Sequence, residues 1–99
     1  MSVYTNEPET ICMAYTPCWQ AASFPVKAYT HDELHTAFGA IKKHWPDADI
    51  RVGLFNAGAA VWKGFLDITP EEVREAMDVN IIGAFAFARE TILAFKDLP

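Results

Sequence analysis

From Phe24 onward, apolar and polar residues follow two different periods along the chain. Phe24 to Tyr29 is a short apolar-rich run with Pro25 at its start, where a missing N–H is tolerated, and it predicts a strand. Thr30 followed by Glu33 forms a capping-box pattern, so a helix is expected to begin there. Leu34, Phe38, Ile41 and Trp45 are spaced by four, three and four residues and form one helical face. Lys42, Lys43 and His44 place positive charge in the last turn, where the helix dipole favours it, and Pro46-Asp47 ends the helix. Ile50 to Phe55 is a nearly continuous apolar run and predicts a mostly buried strand. Asn56-Ala57-Gly58-Ala59-Ala60 leaves that strand as a loop of small residues.

The start of the next helix is specified several times over. Thr69 is the N-cap, Pro70 the first helical residue, and Glu72 closes a second capping box. Ile68, before the cap, is placed to staple onto Val73. Val73, Met77, Ile81, Ala84, Ala88, Ile92 and Phe95 form an apolar stripe, and from Val79 to Ala88 only Asn80 and Gly83 interrupt the apolar surface. Such a helix is expected to be buried on two sides, against a sheet and against a second surface. Residues 1–23 carry no comparable pattern and read as an irregular N-terminal segment. Within them, Ile11 to Tyr15 is either a short strand or an unstructured apolar run. The order β-α-β-loop-α over residues 24–99 predicts an α/β fold, a partial Rossmann-like segment of a doubly wound parallel sheet.

Length and composition narrow the function classes. Ninety-nine residues and a 52% apolar content fit one small globular domain. A chain of this size folds to roughly 5,700 Å² of surface, burying about 65% of what it exposes unfolded. The net charge of −5 supplies no basic field for nucleic acid, and no apolar run approaches the ~20 residues of a membrane helix. Cys12 and Cys18 are too few for a disulfide framework, and the first residues lack a secretory pattern, so a cytoplasmic setting is expected.

Several kinds of site are excluded by inspection. Gly39, Gly53, Gly58, Gly64 and Gly83 form neither a Gly-x-Gly-x-x-Gly nor a P-loop, and Ser2 and Ser23 lie in no nucleophile elbow. His31 and His35 share one helical face but supply two ligands where zinc needs three or four, so no metal site is assigned. Two polar features remain. Asn80 lies on or beside the apolar stripe, either bonded to backbone within the core or aimed at a cleft beyond the strand ends. Asn56-Ala57-Gly58 follows a strand's carboxyl end, where open α/β sheets bind ligands, although it also fits an ordinary turn.

Taken together, these two features resemble the short-chain dehydrogenases/reductases. A strand ending in Asn56-Ala57-Gly58 is followed by Asp78-Val79-Asn80-Ile81-Ile82-Gly83 on a long helix. The family carries Asn-Asn-Ala-Gly and then Val-Asn-x-x-Gly in these places. Thr69 to Glu72 and Arg89 also match common family positions, and Phe24 to Trp45 looks like the third strand and its helix, so the likeness covers about residues 24–99.

The resemblance implies an NAD(P)-dependent oxidoreductase acting on a small carbonyl or alcohol. Asn56, Ala57 and Gly58 would lie beside the dinucleotide, NAD or NADP. Asn80 would match the catalytic Asn that holds a water in the proton relay. The family's dimers pack this long helix into a four-helix bundle, which implies a homo-oligomer through residues 70–95.

The sequence also departs from the family pattern. The glycine-rich loop is absent, and Pro8, Trp19 and Glu33 stand four residues after Tyr4, Tyr15 and Tyr29, so there is no Tyr-x-x-x-Lys. Phe55 replaces the first Asn of the Asn-Asn-Ala-Gly motif, and Ala28 stands near the usual acidic residue at the end of the third strand. In the strand order 3-2-1-4-5-6, the two predicted strands are separated by two others that residues 24–99 do not contain. The 99 residues are therefore expected to be an internal fragment of such an enzyme, inactive alone and prone to self-association. The alternative is a non-catalytic interaction protein that associates through the apolar helix 70–95.

Overall fold

A computed structural model describes residues 2–6, 19–96 and 98–99. Strand β1 (Ser2–Asn6) pairs antiparallel with β2 (Trp19–Ser23), with Ser2 opposite Ser23 and Asn6 opposite Trp19. The segment before Phe24, which the sequence pattern leaves irregular, therefore supplies the only strands among the described residues. Ile11 to Tyr15 and both cysteines lie outside those residues.

Helix α1 (His31–His44) begins at Thr30, whose side chain accepts a hydrogen bond from the Glu33 N–H at 3.3 Å. The Glu33 carboxylate does not close the expected box. It accepts instead from the Lys27 N–H at 3.1 Å, tying the preceding segment to the helix start. The last turn closes where the Trp45 N–H donates to the Ile41 carbonyl, and Trp45 packs edge-on against Phe24 and His44.

The predicted strands Phe24–Tyr29 and Ile50–Phe55 are not strands in the structure, and no parallel sheet is present among the described residues. A strand exists only when a neighbouring backbone pairs with it. In a doubly wound sheet two other strands stand between these two segments, and no described residue takes those places. The apolar character of the segments is still used. Val26, Ile50 and Phe55 pack onto a core of Leu34, Phe38, Ala86 and Phe87, in which Phe38 and Phe55 meet the Phe87 ring at 5.6 and 5.4 Å.

The long helix is divided into α2 (Pro70–Met77), a π-helical turn (Asp78–Gly83) and α3 (Ala84–Phe95). Thr69 and Glu72 form the full reciprocal box at its start. The π turn falls where Gly83 approaches Tyr29 so closely that an added Cβ would lie 2.6 Å from the Tyr29 Cβ. Helix α3 docks on α1 through Ala86, Phe87 and Glu90, while Thr91 faces Gly53, so the buried face is not the predicted stripe. Val73, Met77, Ile81 and Ile92 of that stripe are exposed, as are Ile82 and Phe85. Among the described residues, Val52, Leu54, Trp62, Phe65 and Leu66 are each at least 81% exposed, so a large apolar surface is left uncovered.

Candidate functional site

The two motifs singled out by sequence meet in space. Asn80 projects from the π turn onto the loop that follows Phe55. Its Oδ1 accepts a hydrogen bond from the Ala59 N–H at 3.0 Å, and its Nδ2 donates to the Ala59 carbonyl at 2.7 Å. A carboxamide presents a donor and an acceptor side by side, so it pairs with both backbone groups of one residue, as the residue opposite on an antiparallel strand would. This clasp joins residues 21 positions apart and fixes where Asn56-Ala57-Gly58 ends relative to the helix. Asn80 is exposed rather than buried in a core, but its side chain is bonded to backbone. One donor and one acceptor position of the carboxamide are left over.

The far end of the same loop is held by charge. The Lys63 ammonium donates to Glu72 Oε1, while Glu72 Oε2 accepts from the Thr69 N–H at 2.9 Å. The Lys63 hydrogen bond, and then the Thr69 backbone N–H, hold the Glu72 carboxyl below the usual carboxylate range. Glu72 is legible in sequence as a capping residue, but its second role is not, because nothing local shows that Lys63 folds back onto it.

Two recesses flank this clasped loop. One, of about 240 Å³, is lined by Val26, Tyr29, Leu54, Phe55, Asn56 and Ala57, together with Leu34 and Phe87. The other, of about 300 Å³, lies between the loop and α2, walled by Ala59, Val61, Ile68, Val73, Met77 and Ile81. The first is a mostly apolar slot edged by the Asn56 and Ala57 backbone, which suits the flat ring of a dinucleotide. An added Cβ on Gly58 would meet only Asn80 Oδ1, at 3.5 Å, so Gly58 leaves room above the clasp. The sequence has no glycine-rich loop to offer the run of backbone N–H groups that a pyrophosphate needs. Among the described residues, those lining the slot fit a flat ring and not a phosphate.

Against this geometry, the match to known families is decisive. The family model described as enoyl-(acyl carrier protein) reductase covers residues 3–97. The chain belongs to this family, within the short-chain dehydrogenases/reductases. Comparison with curated proteins and with solved structures finds no significant match. Family membership implies a Rossmann-like α/β architecture and an oxidoreductase ancestry.

The remaining sequence candidates divide clearly. Among the described residues, no group of three or more His, Cys, Asp or Glu side chains is arranged to hold a metal ion. His31 and His35 are exposed, yet His31 lies against Arg89 and Glu90 of α3 and His35 against Glu90, a partnership no sequence pattern signalled. Among the described residues, no helix is long and apolar enough to cross a membrane.

Proposed function

We propose that residues 24–99 form part of an NAD(P)-dependent reductase domain of the short-chain dehydrogenase/reductase type, acting on a carbonyl or alcohol in the cytoplasm. The observation that carries the reading is the Asn80–Ala59 clasp, which gives the family's two sequence motifs a common physical purpose. Asn56, Ala57 and Gly58 supply one wall for the dinucleotide, and Asn80 orients that wall. The dinucleotide, when bound, supplies or accepts the hydride. The Asn80 carboxamide also has one free N–H and one free lone pair with which to hold a water in a proton relay.

Reducing a carbonyl requires an acid to protonate the oxygen, and the family's Tyr-x-x-x-Lys is absent from these 99 residues. The glycine-rich loop is absent too. The 99-residue chain is therefore inactive alone, and activity requires those groups from outside this sequence. The test is NADH and NADPH titration of the purified chain, monitored by energy transfer from its tryptophans. Weak binding that a bulky Ala57→Trp substitution abolishes supports the reading, as does the absence of turnover with simple aldehydes and ketones. Steady NAD(P)H oxidation would overturn the inactivity. Cofactor binding indifferent to Ala57→Trp would overturn the site.

The exposed apolar helix favours a second reading, a non-catalytic protein that associates through residues 70–95. Ile81, Ile82, Phe85 and Ile92 stand 53–74% exposed along the π turn and α3. Fixed-stoichiometry copurification without any cofactor affinity would favour this reading over the reductase.

A further inference from the structure

The contact between α1 and α3 holds a buried acid, with a permanent cation and two partly exposed imidazoles around it. Glu90 is only 4% exposed, yet it lies on the α3 face that docks against α1. Its Oε2 faces His35 Nδ1 at 3.0 Å, and its Oε1 accepts from Arg89 Nη1 at 3.0 Å. The same Arg89 Nη1 lies 2.7 Å from His31 Nε2, and the two imidazole rings stack at 6.1 Å. The remaining charged neighbour is Asp32, whose Oδ1 lies 3.5 Å from His31 Nδ1.

Hydrogen-bond chemistry fixes the protons in this arrangement. A guanidinium has donors only, so His31 Nε2 must present its lone pair to Arg89. His31 is then neutral, with its proton on Nδ1, the atom facing Asp32. An ionised carboxylate only accepts, so His35 carries a proton on Nδ1 toward Glu90. Adding a proton to His31 places it on Nε2, the atom that Arg89 already addresses. Two donors and two positive charges would then face each other at hydrogen-bond distance. They must separate, and each has somewhere to go. His31 Nε2 lies 3.8 Å from Glu90 Oε1, while the Arg89 side chain is 47% exposed.

We propose that this junction is a proton-operated switch. With His31 neutral, Arg89 bridges His31 and Glu90. With His31 protonated, the imidazolium takes the guanidinium's place on Glu90 Oε1, and Arg89 is released into solvent. Glu90 keeps a partner on each oxygen in both states, so α1 remains docked while a cation moves on the surface of α3. His31 sits at the first position of α1, where positive charge opposes the helix dipole, and Asp32 and Glu90 supply the opposing attraction.

The test is nuclear magnetic resonance of the uniformly ¹⁵N-labelled 99-residue chain, following imidazole and guanidinium nitrogens as pH is lowered. The expected result is a His31 ring protonated on Nδ1 alone at alkaline pH, with Arg89 signals changing in step with those of His31. In His31→Gln the Arg89 signals should lose that step, and in His35→Gln they should keep it. A neutral His31 found with its proton on Nε2 overturns the proposal. So does an Arg89 signal that stays constant while His31 titrates, or a step that survives in His31→Gln. Should either variant fail to fold, the wild-type tautomer and the joint titration still decide.

Discussion

Replacing Asn80 by alanine removes both bonds of the clasp while leaving the π turn's backbone in place. Each bond is worth about 0.5–1.5 kcal/mol net, and the position is exposed enough for water to replace the lost partners. Their joint loss should cost roughly 1–2 kcal/mol of loop closure, which corresponds to a 5–30-fold change in the local opening equilibrium. Amide hydrogen exchange reads this directly, because the Ala59 N–H is one of the two groups held. In Asn80→Ala the Ala59 amide should exchange faster by that factor. The Trp45 amide, bonded to Ile41 at the end of α1, should be unaffected. Asn80→Asp should not restore protection, since it keeps the acceptor for Ala59 N–H but sets an oxygen against the Ala59 carbonyl. An Ala59 amide that exchanges freely in the wild-type chain, or equally fast in both, would refute the clasp and with it the meeting of the two motifs.

Other substitutions probe the surrounding fold. Gly83→Ala would gain about 1 kcal/mol of helix propensity at an open position, but here its Cβ meets Tyr29 Cβ, and a net loss of about 1–3 kcal/mol should appear in urea unfolding. Tyr29→Ala should not rescue it, because the offending atom is retained. Leu34→Ala should cost about 2–5 kcal/mol, since Leu34 is only 1% exposed, and circular dichroism should show α1 and α3 lost together. Thr69→Ala should destabilise the start of α2 by about 1 kcal/mol and Thr69→Ser by much less, measured by helicity and urea midpoint. Because Glu72 titrates lower in the folded chain, its contribution is complete above the usual value of 4.5 and fades as pH falls through the lowered folded value. The urea midpoint of Glu72→Gln should accordingly fall less steeply over that acid range than that of the wild type.

What could be read from the sequence was whatever depends on near neighbours. The caps at Thr30 and Thr69, the proline at Pro70 and the four-three-four spacing in α1 act within one or two turns, and the helices begin and end where those signals place them. Asn56-Ala57-Gly58 and Asn80 were legible for another reason. Their residue types are unusual for their surroundings, a small-residue loop after an apolar run and an amide within an apolar helix. The strand state of Phe24–Tyr29 and Ile50–Phe55 was not legible, because it belongs to a pairing and not to either segment. The π turn was likewise hidden, since its contacts are with Tyr29 and Ala59, residues far away in sequence.

The same distinction explains the errors along the long helix. Hydrophobic periodicity identifies a face that is able to be buried, but which face is buried depends on what is present to cover it. Here α1 covers Ala86, Phe87 and Glu90 and the Gly53 backbone covers Thr91, so a carboxylate lies inside while Ile81, Phe85 and Ile92 stand outside. Glu90 tolerates that position because it is bonded to Arg89 and His35, and a buried charge left without partners would be far costlier than an exposed isoleucine. A chain that buries a glutamate and exposes a row of large apolar side chains has two helical faces suited to contact and only one of them filled. The Asn80 clasp lies on the segment that joins these faces, so the loop it holds and the uncovered helix are parts of one surface. A cofactor, a further stretch of sheet or a second helix would have to be accommodated there.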